Sequence, residues 1–119
     1  MKKTFKLLIS LFFIFVFNKS ISQTVNGINI SNLPTEYMQF TLRSSFFSTK
    51  YSVILDYGQE NEFSNKNKKI LDNIGKEIEF NSIIDILNFM NKNTFEFLSK
   101  NTIVIENKTY DEYYLKKKK

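Results

Sequence analysis

Leu7 to Phe17 is an uncharged apolar run of eleven residues set directly behind Lys2, Lys3 and Lys6, and it decides how much of the chain is left to fold. A helix that crosses a bilayer needs about 20 apolar residues at a rise of about 1.5 Å each, so this run is too short to span. A basic start followed by a short apolar core matches a secretory leader. Ser20 and Ser22 put small residues at the two positions that a signal peptidase requires, which predicts a cut after Ser22. The expected product is an exported protein of bacterial type, periplasmic or secreted, with residues 1–22 removed as the signal peptide. The chain contains no cysteine, so a lipid anchor on a cysteine behind the leader is excluded.

Removing residues 1–22 of 119 leaves 97, the size of one modest domain. With no disulfide available, stability has to come from apolar packing, and a rich supply of Phe and Tyr makes that feasible. The formal charge of +5 suggests nucleic acid until the leader is set aside. Four of the 17 basic residues lie in the leader, leaving 13 against 12 acidic ones, a net +1. Lys116, Lys117, Lys118 and Lys119 carry four of those charges, and residues 23–115 are net −3. Arg43 is the lone arginine, whereas phosphate and base recognition draws on the bidentate guanidinium fork. Nucleic-acid binding is therefore not expected. A weak contact of the lysine tail with an anionic membrane or polyanion is the remaining electrostatic option, against a plain solubilising end.

Gln23 to Thr35 is rich in Asn, Ser and Gly and contains the one proline, Pro34, which predicts a flexible lead-in over residues 23–35. The globular part is then expected over residues 36–119. From Glu36 to Arg43, Met38, Phe40 and Leu42 alternate with Gln39, Thr41 and Arg43, the period of a half-buried strand. Lys50 to Tyr57 repeats the pattern with Tyr51, Val53, Leu55 and Tyr57 on one side, and Ser44 to Thr49 is expected to join the two as a hairpin loop. Gln59 to Lys69 reads as an exposed mobile loop. Ile70-Leu71 and Glu77 to Phe80 flank the turn composition Asp72 to Lys76, a minor hairpin.

Ser82, with Asp85 three residues on, is a capping pair that predicts a helix to about Asn91, ended by Asn93 as a left-handed cap. Ile83, Leu87 and Met90 form its apolar stripe, broadened by Ile84 and Ile86. Phe95 to Leu98, Thr102 to Glu106 and Thr109 to Lys116 read as strands, with Asn107-Lys108 as the last tight turn. The expected fold class is α+β: a small antiparallel sheet of about four main strands in ββαββ order, with one helix packed on one face.

Ile86-Leu87-Asn88-Phe89-Met90-Asn91, Thr94-Phe95-Glu96-Phe97-Leu98 and Tyr113-Tyr114-Leu115-Lys116 carry a further signal. With them, the stretch from Phe80 to Lys117 resembles a family of short bacterial domains in which a helix ending near Leu-Asn is followed by Gly-Trp-Glu-Leu-Val and a closing strand of the Tyr-Tyr-Leu-Lys kind. Asp56-Tyr57-Gly58-Gln59 is similar to the end of an early strand in exported members. Thr94 stands where the family has Gly, and Phe95 where it has Trp. The resemblance implies a small helix-on-sheet fold and brings no activity, cofactor or catalytic residues with it.

The absence of His and Cys removes the commonest general base, the usual zinc ligands and any thiol nucleophile. Gly27, Gly58 and Gly75 are isolated, so no phosphate-cradling loop is formed. The remaining chemistry is carboxylate: Glu60 with Glu62, Glu77 with Glu79, Asp111 with Glu112, and Asp56 as a further acid. A pair about 5–9.5 Å apart across a cleft could hydrolyse a glycan. Solvated charges are the plainer reading, and Glu60-Asn61-Glu62 offers too few oxygens for calcium. Tyr51, Tyr57, Tyr110, Tyr113 and Tyr114 could form an aromatic binding face or simply pack a sheet. Asn29-Ile30-Ser31 and Asn107-Lys108-Thr109 have the spacing of glycosylation acceptors and are expected to be idle in a bacterial chain. No catalytic, cofactor or metal residue is assigned. The expectation is a non-enzymatic exported domain that binds another envelope or secreted protein through a sheet face or strand edge. The alternatives are a small carboxylate hydrolase acting on glycan or peptide, and a membrane- or polyanion-associated protein held by its lysines.

Overall fold

The computed structural model describes residues 23–44, 47–61 and 63–119. The leader and its cleavage point, Glu62 and the middle of the expected Ser44–Thr49 loop lie outside the described residues. Among these residues the fold class is α+β, with two antiparallel sheets and one α-helix. The larger sheet has the order β4-β3-β7-β6, formed by β3 (Tyr37–Ser44), β4 (Tyr51–Asp56), β6 (Phe95–Ile105) and β7 (Lys108–Lys117). The smaller has the order β2-β1-β5, formed by β1 (Thr24–Val25), β2 (Ile28–Asn29) and β5 (Ile70–Leu71). The helix, α1, is Ile83–Lys92. Among the described residues five strands precede it and two follow; the shorter ββαββ order expected from the sequence leaves out β1, β2 and β5.

The period-two patterns place the core. Met38 and Phe40 of β3, Val53 and Leu55 of β4, and Tyr113 and Leu115 of β7 are all buried on one face of the larger sheet. Phe40 sits at its centre, opposite Leu55 on one side and Tyr113 on the other. Its ring stacks on Tyr113 with centroids 4.8 Å apart and planes 8° from parallel. Ile86 and Met90 of α1, four residues apart, close this core with Phe95, while Ile83, Leu87 and Phe89 flank it. Ile84, expected to broaden the stripe, is 65% exposed. An angle of about 100° per residue swings it away from Ile86.

Both helix ends follow from local chemistry. At the start, Ser82 Oγ accepts from Asp85 N–H at 3.2 Å and the Asp85 carboxylate accepts from Asn81 N–H at 3.0 Å, a reciprocal cap. At the other end the expected left-handed residue is displaced by one. Asn93 has φ −99° and folds its side chain back so that Nδ2 donates to the Phe89 carbonyl at 2.9 Å. Thr94 takes the left-handed conformation, with φ +72°. A β-branched residue is strained there, and its Oγ1 is buried without a hydrogen-bond partner. Thr94→Gly is therefore expected to raise stability by about 1 kcal/mol, the relief of backbone strain and of the orphaned hydroxyl outweighing the entropy cost of glycine. In a thermal melt that corresponds to a rise of about 4–8 °C.

The lead-in is not loose. Asn26 and Gly27, with φ +52° and +75°, form the two-residue turn of a β1–β2 hairpin, and Thr24 and Val25 pair with Leu71 and Ile70 of β5. Val25, Ile30 and Leu33 are each 0% exposed and belong to the same core as Phe40. Residues 23–35 thus supply core, which corrects the flexible lead-in; the apolar residues spaced through an Asn/Ser-rich stretch outweigh its composition.

The 59–69 segment, expected as a mobile loop, is also fastened. Gln59 Nε2 donates to the Leu55 carbonyl at 2.8 Å, its Oε1 accepts from Tyr57 N–H at 2.8 Å, and the buried Asn67 donates through Nδ2 to the Glu60 carbonyl at 2.6 Å. Asp72 Oδ1 accepts from Ile74 and Lys76 N–H, and Leu71 bridges Glu77, so the expected turn over Asp72–Lys76 is formed. The expected strands Phe95–Leu98 and Thr102–Glu106 merge into one, Phe95–Ile105, irregular between Phe97 and Ser99. The turn that follows is Glu106-Asn107, at φ +50° and +63°, one residue earlier than expected.

Candidate functional site

Because the core takes one face of the larger sheet, strict alternation sends Tyr37, Gln39, Thr41 and Arg43 of β3 to the other. Ser52, Ile54 and Asp56 join them from β4, and Glu112, Tyr114 and Lys116 from β7. None of these outward residues is buried. Gln39 is the centre of this surface, opposite Asp56 on one side and Tyr114 on the other. A shallow groove of about 300 Å³ runs past it, edged by Thr35, Tyr37, Tyr57 and Tyr114. Tyr37 is 55% exposed, and the Lys116 ammonium lies 5.7 Å from its ring centroid.

Tyr114 is held in place by its own hydroxyl, which donates to Glu112 Oε2 at 2.6 Å. That bond to the carboxylate, helped by partial desolvation and by the carboxylate charge, raises the phenol above its ordinary value of 10.0. Since the folded value exceeds the unfolded one, this contribution to stability is complete below the ordinary phenol range and is lost as pH rises through the folded value. The difference between the ultraviolet titrations of the native protein and Tyr114→Phe is expected to show a phenol ionising late. Glu112→Gln should bring that titration back toward the ordinary range.

The five tyrosines read from the sequence as either an aromatic face or sheet packing divide between the two. Tyr113 is 3% exposed and belongs to the core, Tyr51 and Tyr57 are half-buried, and Tyr110 and Tyr114 face outward. Tyr37 was missed, although alternation with Met38 assigns it to the same face as Tyr114.

Among the described residues the acids are dispersed over several places in the fold. Asp111 and Glu112 are consecutive in β7 and point to opposite faces. Asp111 accepts from Thr102 Oγ1 at 2.7 Å and lies 3.4 Å from Lys100 Nζ. The hydrogen bond from Thr102 is the main cause that lowers its carboxyl below 3.8, reinforced by Lys100. Asp56 is exposed and accepts from Gly58 N–H at 3.0 Å, a turn contact, and Glu60 is exposed. Glu77 and Glu79 do share a groove of about 340 Å³ with Arg43 and Lys50. Glu77 is neutralised there by Arg43 at 3.7 Å and Lys69 at 3.9 Å, and Glu79 is exposed. Among the described residues no three Asp or Glu side chains converge as a metal site.

The lysine tail is largely built into the fold. Lys116 and Lys117 are the last residues of β7, Lys117 Nζ donates to the Leu33 carbonyl at 2.7 Å, and Lys118 Nζ donates to Asn91 Oδ1 at 2.9 Å. Among the described residues no helix is long and apolar enough to cross a membrane. The chain matches no family model, no curated protein and no solved structure.

Proposed function

We propose that this chain is an exported, non-enzymatic binding module that engages another envelope or secreted protein through the outer face of its larger sheet. One observation carries the reading: Tyr37 and Tyr114 flank Gln39 at the middle of this face, none of its residues is buried, and the core is made on the opposite side. Tyrosine offers large contact area with a polar tip at little entropic cost, which is why it is enriched at protein interfaces. Export follows from the leader, with cleavage after Ser22. The likeness to short exported bacterial domains in the second half of the chain supports the same class of small helix-on-sheet module.

The hydrolase alternative loses support because Glu77 is held in ion pairs with Arg43 and Lys69. Attachment to a polyanion through the tail loses support because the ammonium groups of Lys117 and Lys118 already have partners within the fold. The test is capture from the protein's own cell envelope, with the exported protein immobilised and the eluate read by mass spectrometry. A specific companion is expected with the native protein and is expected to be lost with Tyr37→Ser/Tyr114→Ser. Capture that ignores this pair of substitutions would refute the face as the binding surface. An intact mass starting at Met1 would refute export with cleavage.

A further inference from the structure

Of all the asparagines in this chain, Asn26 alone is followed by glycine. It sits with Gly27 at the tip of the β1–β2 hairpin, at φ +52° and +75°, and both residues are exposed. Val25 and Ile28 pair across the turn, and Val25 pairs with Ile70 on its other side. Two successive positive φ values are those of a type I′ turn, which favours this dipeptide. The same dipeptide sets an amide carbon one five-membered ring away from a backbone nitrogen with no bulky side chain beside it. Among the described residues, no heavy atom beyond the chain neighbours lies within 4 Å of where a Cβ on Gly27 would be. The Asn26 side chain is held at Nδ2, which donates to the Tyr57 hydroxyl over a long 3.4 Å.

We infer that Asn26 is a site of self-modification, at which the Gly27 nitrogen displaces the side-chain amide and the turn is rebuilt as isoaspartate. The Gly27 nitrogen bonds to Asn26 Cγ and gives up its proton, the Cγ–Nδ2 bond breaks, and ammonia departs, leaving a cyclic imide. Solvent water then adds to one of the two imide carbonyls. Opening at Cγ gives aspartate on an unchanged backbone. Opening at the main-chain carbonyl carbon leaves Gly27 attached through Cγ, which is isoaspartate. Ring closure requires the side chain to leave Tyr57 and swing over the Gly27 nitrogen. Glycine tolerates the backbone rotation that goes with this, and one long, exposed hydrogen bond restrains it little.

The two products differ in what they do to the fold. Aspartate accepts a φ of +52° much as asparagine does, so the hairpin survives. Isoaspartate adds a methylene to the main chain inside a two-residue turn, and the pairing of Val25 with Ile28 cannot keep its register. Val25 is 0% exposed, so the disturbance reaches the core. Asn81 is the internal comparison. It is exposed and precedes Ser82, the next smallest neighbour that any asparagine here has, but its N–H is tied to Asp85 and Ser82 caps α1. This chemistry needs no partner and is independent of what meets the tyrosine face.

The full chain, expressed with its leader and purified after export, is held in warm neutral buffer and sampled over weeks. Its peptides are read by mass spectrometry that separates isoaspartate from aspartate. Asn26 is expected to lose its amide at least tenfold faster than Asn81, with isoaspartate the larger product. The aged protein should then unfold at lower urea than Asn26→Asp, which carries the new charge on an ordinary backbone and should keep the native midpoint. An Asn26 amide that survives the incubation, or one lost no faster than that of Asn81, overturns the inference. So does isoaspartyl protein as resistant to urea as Asn26→Asp.

Discussion

Phe40→Ala is expected to cost about 3–5 kcal/mol. Phe40 is 0% exposed, opposes Leu55 and Tyr113 in the two neighbouring strands, and stacks on the Tyr113 ring. Alanine removes the apolar area, leaves a cavity at the centre of the sheet, and forfeits a ring pair worth about 0.5–1.5 kcal/mol beyond burial. A small domain has about 5–15 kcal/mol of stability in total, so most of the margin disappears. Urea unfolding followed by circular dichroism should show the midpoint falling with the slope unchanged. Phe97→Ala is the companion: the same deletion at a residue 50% exposed should cost well under half as much.

Leu33→Ala is expected to cost about 2–5 kcal/mol, and the size of the effect decides whether the first segment belongs to the domain. Leu33 is 0% exposed, and its carbonyl accepts from the Lys117 ammonium, which also lies 5.6 Å from the Phe95 ring centroid. The segment before β3 is thereby fastened to the last strand and to the start of β6. Removing the Leu33 side chain opens a cavity where these three pieces meet. The same urea titration reads the result. A change below about 0.5 kcal/mol, the scale of surface substitutions, would show that residues 23–35 lie outside the cooperative unit.

The elements that were legible are those in which one face is buried and the other is not. Met38 and Phe40 alternate cleanly with Gln39 and Thr41, and Val53 and Leu55 with Ser52 and Ile54, so β3 and β4 can be read off the chain. The helix announces itself through Ser82 and Asp85 and through the spacing of Ile86 and Met90. The lead-in was misread for a physical reason. Asn26-Gly27 is the strongest short hairpin signal in the sequence, but strands of two residues are too short to show a period. Val25, Ile30 and Leu33 are scattered among polar residues, and only the tertiary fold brings them into one core.

The 59–69 segment escaped for a related reason. Its order comes from the Gln59 and Asn67 side chains bonding to backbone, and composition treats those residues as solvent-facing. The candidate site was half legible. Tyr114 was singled out, yet assigning Tyr113 to the core and Tyr37 to the outer face needed the register of β3 against β7. The role of the last lysines was not legible, because Lys117 finds its partner at Leu33, 84 residues away in sequence.

The outer sheet face carrying Gln39, Tyr37 and Tyr114 is the proposed meeting point with a partner. A photoreactive amino acid placed at Gln39, in the full chain exported by living cells, tests it most directly. On irradiation the account predicts one discrete heavier species containing a second envelope or secreted protein, formed at position 39 and absent when the same group replaces Lys92 on the helix. Crosslinking at Gln39 no greater than at Lys92 would contradict it.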